Sequence, residues 1–202
     1  MKEPDIIEIA LGVVRIFEAL GIEYYIGGSL ASSAFGIARS TMDIDIAADI
    51  RQGQASVLEE RLQTHFYVDR EMIERAIREK SSFNIVHLET MFKIDIFVVS
   101  DEPYDKQAMA RRLRKDLTAD GANQADLSSP EDIILRKLLW YQSGGKISDR
   151  QWDDVLGVMR VQGEQLDAAY LELWAKRLSI FDLLQKAFQE AGLRARSSTT
   201  SS

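Results

Sequence analysis

The stretch Met42-Asp43-Ile44-Asp45-Ile46-Ala47 decides how the rest of this chain is interpreted. Polar and apolar residues alternate strictly through it, which is typical of a β-strand with one buried face. Because successive side chains of a strand point to opposite faces, Asp43 and Asp45 share one face. The two isoleucines share the other. The sequence therefore predicts a strand that presents two carboxylates side by side.

A third carboxylate occupies the middle of another predicted strand. Phe92 to Val99 alternates in the same way, with Lys93, Asp95 and Phe97 on one face. A turn joins it to a predicted strand over 82–87. Three carboxylates on one sheet are costly unless a cation neutralises them, and carboxylate oxygens suit Mg²⁺ or Mn²⁺. Asp95 alone is also explained as a core carboxylate paired with Lys93 or Arg39.

A glycine-rich turn precedes the aspartate pair. Gly27-Gly28-Ser29 follows a short predicted strand over 23–26, and Ser29 is a candidate cap for a helix over 30–35. Glycines let the backbone approach a phosphate closely, and a helix start favours anions. The glycines alone are equally compatible with a simple tight turn.

The remaining pattern predicts an α/β part followed by a helical part. Further helices are expected over 5–20, 54–65, 71–80 and 104–115, then a hairpin over 117–127, and finally helices over 130–142, 148–160, 167–177 and 180–191. Ser129 and Pro130 mark the start of the first of these last four helices. We expect a core domain over 1–128, a helical region over 129–193 and a disordered tail over 194–202.

Composition excludes several classes of site. The 202 residues include no cysteine and only two histidines, so thiolate chemistry and a multi-histidine metal cage are excluded. The net charge of -7 argues against a general polyanion binder. The basic run from Arg111 to Lys115 is interpreted either as a solvated helix face or as a landing patch for RNA. With no apolar stretch long enough to span a bilayer, we expect a cytoplasmic protein with no membrane partner.

Taken together, these motifs resemble the DNA polymerase β-like nucleotidyltransferase superfamily. The resemblance covers roughly residues 20–160 and is greatest to small bacterial AbiEii-like proteins. It rests on Gly27-Gly28-Ser29, Arg39-x-Thr41-x-Asp43-Ile44-Asp45, Asp95 within its strand, and the helical segments that begin at Ser129 and Asp149. It implies an α+β fold in which a small mixed sheet flanked by helices precedes a C-terminal helical bundle.

The resemblance also implies a role for each matched residue. Asp43, Asp45 and Asp95 would bind Mg²⁺ or Mn²⁺ and act as the catalytic residues. The nucleotide would be held by Gly27, Gly28, Ser29, Arg39 and Lys137. Lys137 is otherwise explained as a lysine whose apolar stem packs on the helix while its charge stays in solvent.

The expected function is therefore transfer of a nucleoside monophosphate from an NTP to an acceptor hydroxyl, with release of pyrophosphate. The acceptor is left open among tRNA, a protein and a small molecule. An antitoxin-like protein partner is a further hypothesis. The alternative is a catalytically silent nucleotide-binding or protein-interaction module on the same fold.

Overall fold

The computed structural model describes residues 6–37, 43–118, 121 and 123–193, so Arg39, Thr41 and the tail over 194–202 lie outside the described residues. The described strands are β1 (Tyr24–Ile26), β2 (Asp43–Ala48), β3 (Phe66–Tyr67), β4 (Ser82–His87), β5 (Lys93–Val98), β6 (Leu113–Asp116) and β7 (Gln124–Leu127). The described α-helices are α1 (Ile6–Ala19), α2 (Gly28–Phe35), α3 (Ala55–Leu62), α4 (Arg70–Glu79), α5 (Pro103–Ala110), α6 (Pro130–Ser143), α7 (Asp149–Gln162), α8 (Ala168–Arg177) and α9 (Phe181–Glu190).

The described strands form one mixed sheet in the order β3-β4-β5-β2-β1-β7-β6. β2 pairs with β5 and β1 pairs with β7 in parallel, whereas the other neighbours are antiparallel. The predicted α+β class with a mixed sheet is confirmed. The two-residue strand β3 was not predicted, because two residues carry no detectable alternation.

The described residues divide into two compact units. The first unit contains the described residues up to Ala31 and those from Asp43 to Ser128, and it holds the whole sheet. The second contains residues 32–37 and the helices from α6 onward. Across all described residues, no helix combines the length and hydrophobicity needed to cross a bilayer.

The core of the first unit is built on the apolar faces of β2 and β5. Ile44 and Ile46 on β2 and Ile94 and Ile96 on β5 are fully buried, as the alternation predicts. Each such side chain contributes about 1.5–3 kcal/mol of transfer free energy. Helix α4 contacts β4 and β5, and α3 contacts both α4 and α1. The buried isoleucines therefore fix which face of the two strands points outward.

The second unit is a helical assembly in which three helix starts are capped by side chains, and the cap predicted at Ser129 is confirmed. The side chains of Ser129, Ser148 and Asp167 each accept a backbone N–H from the first turn of α6, α7 and α8. At the start of α6, the buried carboxylate of Asp132 accepts a hydrogen bond from the Tyr170 hydroxyl at 2.7 Å. Because these polar groups have partners, their burial is compatible with a stable core.

The predicted helix over 104–115 is wrong in its second half. Helix α5 ends at Ala110, and residues 113–116 form β6, which pairs antiparallel with β7. Every residue of β6 is exposed, so no buried face imposes an alternation that sequence analysis could detect. The strand forms because β7 supplies its backbone hydrogen bonds. Since the basic run is not helical, its interpretation as a solvated helix face is also wrong.

Two arginines of the basic run form ion pairs inside the first unit. Arg112 donates to Asp126 at 3.0 Å through Nε and to Glu23 at 2.8 Å through Nη2. Arg114 donates to Glu18 at 2.6 Å through Nη1. The positive charge that suggested a landing patch for RNA is therefore partly neutralised by carboxylates of the same unit.

Tyr24 lies beside these ion pairs, on the interior strand β1. Its hydroxyl donates to Glu18 at 3.0 Å, and the side chain is 2% exposed. Burial is the main reason that the pKa of Tyr24 rises from 10.0 to about 12. The folded state therefore keeps this phenol protonated at a pH where the unfolded chain ionises it.

We expect the free energy of unfolding to fall between about pH 10 and about pH 12, because only the unfolded phenol ionises in that range. The full difference corresponds to about 2–3 kcal/mol. Tyr24→Phe removes the titrating group, so the loss should be shallower in this variant. Denaturant unfolding across this range checks it, with Tyr67→Phe at an exposed tyrosine as the control. Parallel profiles for Tyr24→Phe and the wild type would contradict the expectation.

Candidate active site

The pairing of β2 with β5 brings the three predicted carboxylates onto adjacent strands. The parallel register places Asp45 opposite Asp95 and Asp43 opposite Lys93. Neighbouring strands lie about 4.8 Å apart, so facing residues are immediate neighbours. Asp43 is exposed, and Asp45 and Asp95 are half-buried, on the face opposite the buried isoleucines. The sequence therefore predicted both the shared face and the shared sheet.

This polar face is closed at one end and open at the other. Near the ends of β2 and β5, Ala47 and Val99 pack against Tyr25, Ala108 and Met109, the last two from α5. The acidic residues lie nearer the beginnings of the two strands, where exposure is greater. Carboxylates on a half-buried surface keep access to solvent, as ligands of an incoming cation require.

Gly28 lies against the carboxylate of Asp45. A Cβ at this position would lie 2.6 Å from Asp45 Cγ and 2.9 Å from Asp45 Cβ, with Oδ2 closer still. Gly28 also has a positive φ of 54°, in the left-handed region that favours glycine. The glycine is required here for two reasons, the close approach and the backbone conformation. A simple tight turn explains only the second.

The neighbours of Gly28 complete the turn between β1 and α2. The Gly27 N–H donates to the Asp45 carbonyl at 2.8 Å, so the turn is tied to β2 by its backbone as well. Helix α2 begins at Gly28, two residues earlier than predicted, so Ser29 lies inside the first turn and is not its cap. A hydroxyl in the first turn remains at the helix end that favours anions. Arg39 lies outside the described residues.

Among the described residues, Lys93 is a cation that lies next to the acidic residues. Its Nζ lies 2.8 Å from Asp95 Oδ2, and the two side chains are 47% and 24% exposed. The hydrogen bond to Asp95 is the main cause that raises the pKa of Lys93, and the charges of Asp43 and Asp45 act in the same direction. The pairing of Asp95 with Lys93, which the sequence left open, is therefore present.

The chemistry of the donor set fits a divalent cation, although the described side chains do not enclose one. Among the described residues, no group of three or more acidic or histidine side chains is arranged to hold a metal ion. The three aspartates supply hard oxygen ligands of the kind that Mg²⁺ and Mn²⁺ accept. One oxygen of Asp95 is bound to Lys93, so a cation coordinated at that oxygen would compete with the lysine.

Lys137 belongs to the second unit and has contacts that the sequence did not predict. Its Nζ donates to Asp154 Oδ2 at 2.7 Å and to Gln151 Oε1 at 3.2 Å. The side chains of the ion pair are 3% and 8% exposed, so the charge of Lys137 is not in solvent. The pair joins α6 to α7. No measured contact tests the implied phosphate role, which stays a prediction. The spacing of an acid on α7 from a lysine on α6 offers no local signal for this pair.

Solved structures of nucleotidyltransferases share the fold of this chain. An antigenic nucleotidyltransferase-like protein from Paracoccidioides brasiliensis is 19% identical, with a TM-score of 0.55 over 91% of this chain and 92% of that one. The antibiotic-resistance factor ANT(2″)-Ia is 12% identical, with a TM-score of 0.57 over 89% of this chain and 96% of that one. Its complex with adenylyl-2″-tobramycin, 13% identical, gives 0.56 over 86% and 96%.

No protein-family model matches the chain, and no curated protein sequence matches it significantly. At these identities the structural likeness establishes the nucleotidyltransferase fold and nothing beyond it. The chemistry of the site therefore depends on which residues of this chain it contains.

Replacing Gly28 with alanine should cost about 1–2 kcal/mol of stability, because the left-handed backbone is unfavourable for an L-residue. It should also displace the carboxylate of Asp45, which the new Cβ would overlap. Denaturant unfolding measures the first effect. Gly12→Ala is the control, because its added Cβ meets no atom within 4 Å in the middle of α1. Equal effects of the two substitutions would contradict the constraint at Gly28.

Replacing Lys137 with methionine should cost about 3–5 kcal/mol, because it leaves Asp154 charged and buried without its cation. Thermal or denaturant unfolding measures this loss. Lys176→Met is the control, since Lys176 pairs with Glu172 at 3.7 Å on the surface and should contribute no more than about 1 kcal/mol. Similar losses in both variants would show that the Lys137 pair is not structural.

Proposed function

We propose that this protein is a metal-dependent nucleotidyltransferase that transfers a nucleoside monophosphate from an NTP to an acceptor hydroxyl. The observation that carries the proposal is the register of β2 and β5, which faces Asp45 with Asp95 on an open polar surface. The contact of Gly28 with the Asp45 carboxylate supports it, because it joins the glycine turn to the acidic residues. The fold shared with solved nucleotidyltransferases is compatible with it.

The proposed reaction exchanges one P–O bond for another. The acceptor oxygen forms a bond to the α-phosphorus of the NTP, and the bond from that phosphorus to the bridging oxygen of the β-phosphate breaks. Pyrophosphate leaves with the electron pair of the broken bond. The acceptor proton passes to a carboxylate, for which Asp95 is our candidate because it lies opposite Asp45 on the adjacent strand.

Asp43, Asp45 and Asp95 are the proposed ligands of Mg²⁺ or Mn²⁺. A bound divalent cation supplies stabilisation for the charge that develops on the transferring phosphoryl group. The chain's own contribution is to orient these carboxylates, which the buried isoleucines of β2 and β5 do by fixing the strand faces. Placing them on paired strands also limits how far each carboxylate can move.

The nucleotide is proposed to bind at the glycine turn. Gly27 and Gly28 allow a phosphate to approach the backbone, and Ser29 adds a hydroxyl in the first turn of α2. The same proposal assigns Arg39 and Lys137 to the phosphates, as the resemblance implies. For Lys137 this role requires sharing or breaking its bond to Asp154.

The two parts of the chain are proposed to have different functions, catalysis in one and selection of the acceptor in the other. Residues 1–128 would form the catalytic core and residues 129–193 a helical region that selects the acceptor, with residues 194–202 as a tail. ANT(2″)-Ia, which shares the fold, has been solved with adenylyl-2″-tobramycin. This favours a small-molecule hydroxyl as the first acceptor to test, with tRNA and protein hydroxyls as the others.

We also propose that the chain is related to AbiEii-like proteins and that it has an antitoxin-like protein partner. They rest on the sequence motifs that begin at Ser129 and Asp149. Co-expression with the products of adjacent genes, followed by purification of a stable complex, would test the partner hypothesis. Growth arrest on expression, relieved by such a partner, would test the toxin role.

One observation favours the alternative of a catalytically silent module. Lys93 already neutralises part of the acidic surface, because it is bonded to Asp95 and close to the other two carboxylates. Because Lys93 offsets part of its negative charge, the acidic surface can be stable without a metal ion. The two candidate functions differ in one measurable respect, which is pyrophosphate release.

Pyrophosphate release should fall at least 100-fold in Asp45→Asn, because the amide keeps the shape of the side chain but removes its charge. The assay uses each of the four NTPs with Mg²⁺ or Mn²⁺ and a panel of tobramycin, tRNA and the protein itself as acceptors. Asp101→Asn is the matched control, since Asp101 is an exposed aspartate paired with Lys106 at 3.2 Å.

Full activity in Asp45→Asn would refute the assignment of the site. NTP binding by the wild type without pyrophosphate release on any acceptor would instead support the silent module. Circular dichroism of each variant shows whether a loss of activity reflects unfolding.

A further inference from the structure

Lys93 lies where the proposed site requires positive charge. The register of the parallel pair sets it directly opposite Asp43, and the strand period puts it on the same face as Asp95. Its position therefore follows from the same pairing that assembles the carboxylates.

The ammonium of Lys93 forms an ion pair with one oxygen of Asp95. Lys93 Nζ lies 2.8 Å from Asp95 Oδ2, and Asp43 and Asp45 are close enough to act on it electrostatically. The described side chains thus place a monovalent cation among the three carboxylates. Nearly half of the Lys93 side chain is exposed, so it has solvent to move into.

A divalent ion that binds Asp95 Oδ2 would compete with this ammonium for the same oxygen. A metal ligated there would lie within a few ångströms of the lysine charge, and like charges at this separation repel strongly. The lysine is flexible and exposed, whereas the carboxylates are held by the strands. The lysine is therefore the group that moves.

We propose that Lys93 is the internal counter-cation of the metal-free site and that it is displaced from Asp95 when a divalent cation binds. This inference rests on the proposed function, because it assumes that the carboxylates are metal ligands. It assigns Lys93 a positioning role: the lysine stabilises the carboxylates in the metal-free protein and sets the metal concentration at which the site fills.

Mn²⁺ binding to the nucleotide-free protein tests the exchange, measured by electron paramagnetic resonance of the free ion at low ionic strength. Lys93→Met should bind Mn²⁺ about three- to tenfold more tightly than the wild type, since the competing charge is gone. Lys93→Arg keeps the charge and should stay within about twofold of the wild type. Lys106→Met removes a lysine from the exposed Asp101 pair and serves as the control.

A double-mutant cycle separates displacement from a general effect of charge. In the Asp95→Asn background Lys93 has lost its ion-pair partner, so the gain in Mn²⁺ affinity from Lys93→Met should be clearly smaller than it is with Asp95 present. A general field effect would persist in that background, because Asp43 and Asp45 remain. An undiminished gain there would overturn the displacement.

Thermal unfolding gives a second readout that does not depend on activity. Lys93→Met should lower the Tm of the metal-free protein, and saturating Mn²⁺ should reduce its difference from the wild type. Equal Mn²⁺ affinities for wild type and Lys93→Met would overturn the inference while leaving the metal site in place. No Mn²⁺ binding by either protein would overturn both the inference and the metal dependence of the proposed function.

Discussion

The parallel pairing of β2 with β5 is the constraint on which the rest of the candidate site depends. Four buried isoleucines hold the two strands with one face inward, and this leaves Asp43, Asp45 and Asp95 on the other. A slip of one residue in either strand would bury a carboxylate and expose an isoleucine. The hydrophobic core therefore specifies the chemistry of the polar face, even though none of its atoms belongs to that face.

Gly28 and Lys93 both adapt the surroundings to the carboxylates. The missing Cβ at Gly28 makes room for Asp45, and the ammonium of Lys93 offsets the charge of Asp95. Gly28 avoids a steric clash, and Lys93 reduces the repulsion between like charges. The electrostatic contact is partly exposed and can rearrange, whereas the steric one admits no other residue without rearrangement.

The sequence predicted what depends on local periodicity. The amphipathic helices, the faces of β2 and β5, and the cap at Ser129 were all recognisable because each leaves a repeating or positional pattern. Sequence-based prediction failed where the structure of a residue depends on partners that are distant in the sequence. Residues 113–116 become a strand because β7 pairs with them, and Lys137 is buried because α7 brings Asp154 to it. The close contact of Gly28 with Asp45 likewise requires three-dimensional information.

The strand order also limits the order in which the strands can pair during folding. β1 is an interior strand between β2 and β7, and Ile26 pairs with Leu127, about a hundred residues further along the chain. Such long-range pairing slows folding, because a large loop must close before the contacts form. A nascent chain on the ribosome can pair β1 with β2 and β2 with β5 early. It cannot complete the pairing of β1 until β7 has been synthesised, so truncation before Gln124 leaves β1 as an open sheet edge that invites aggregation.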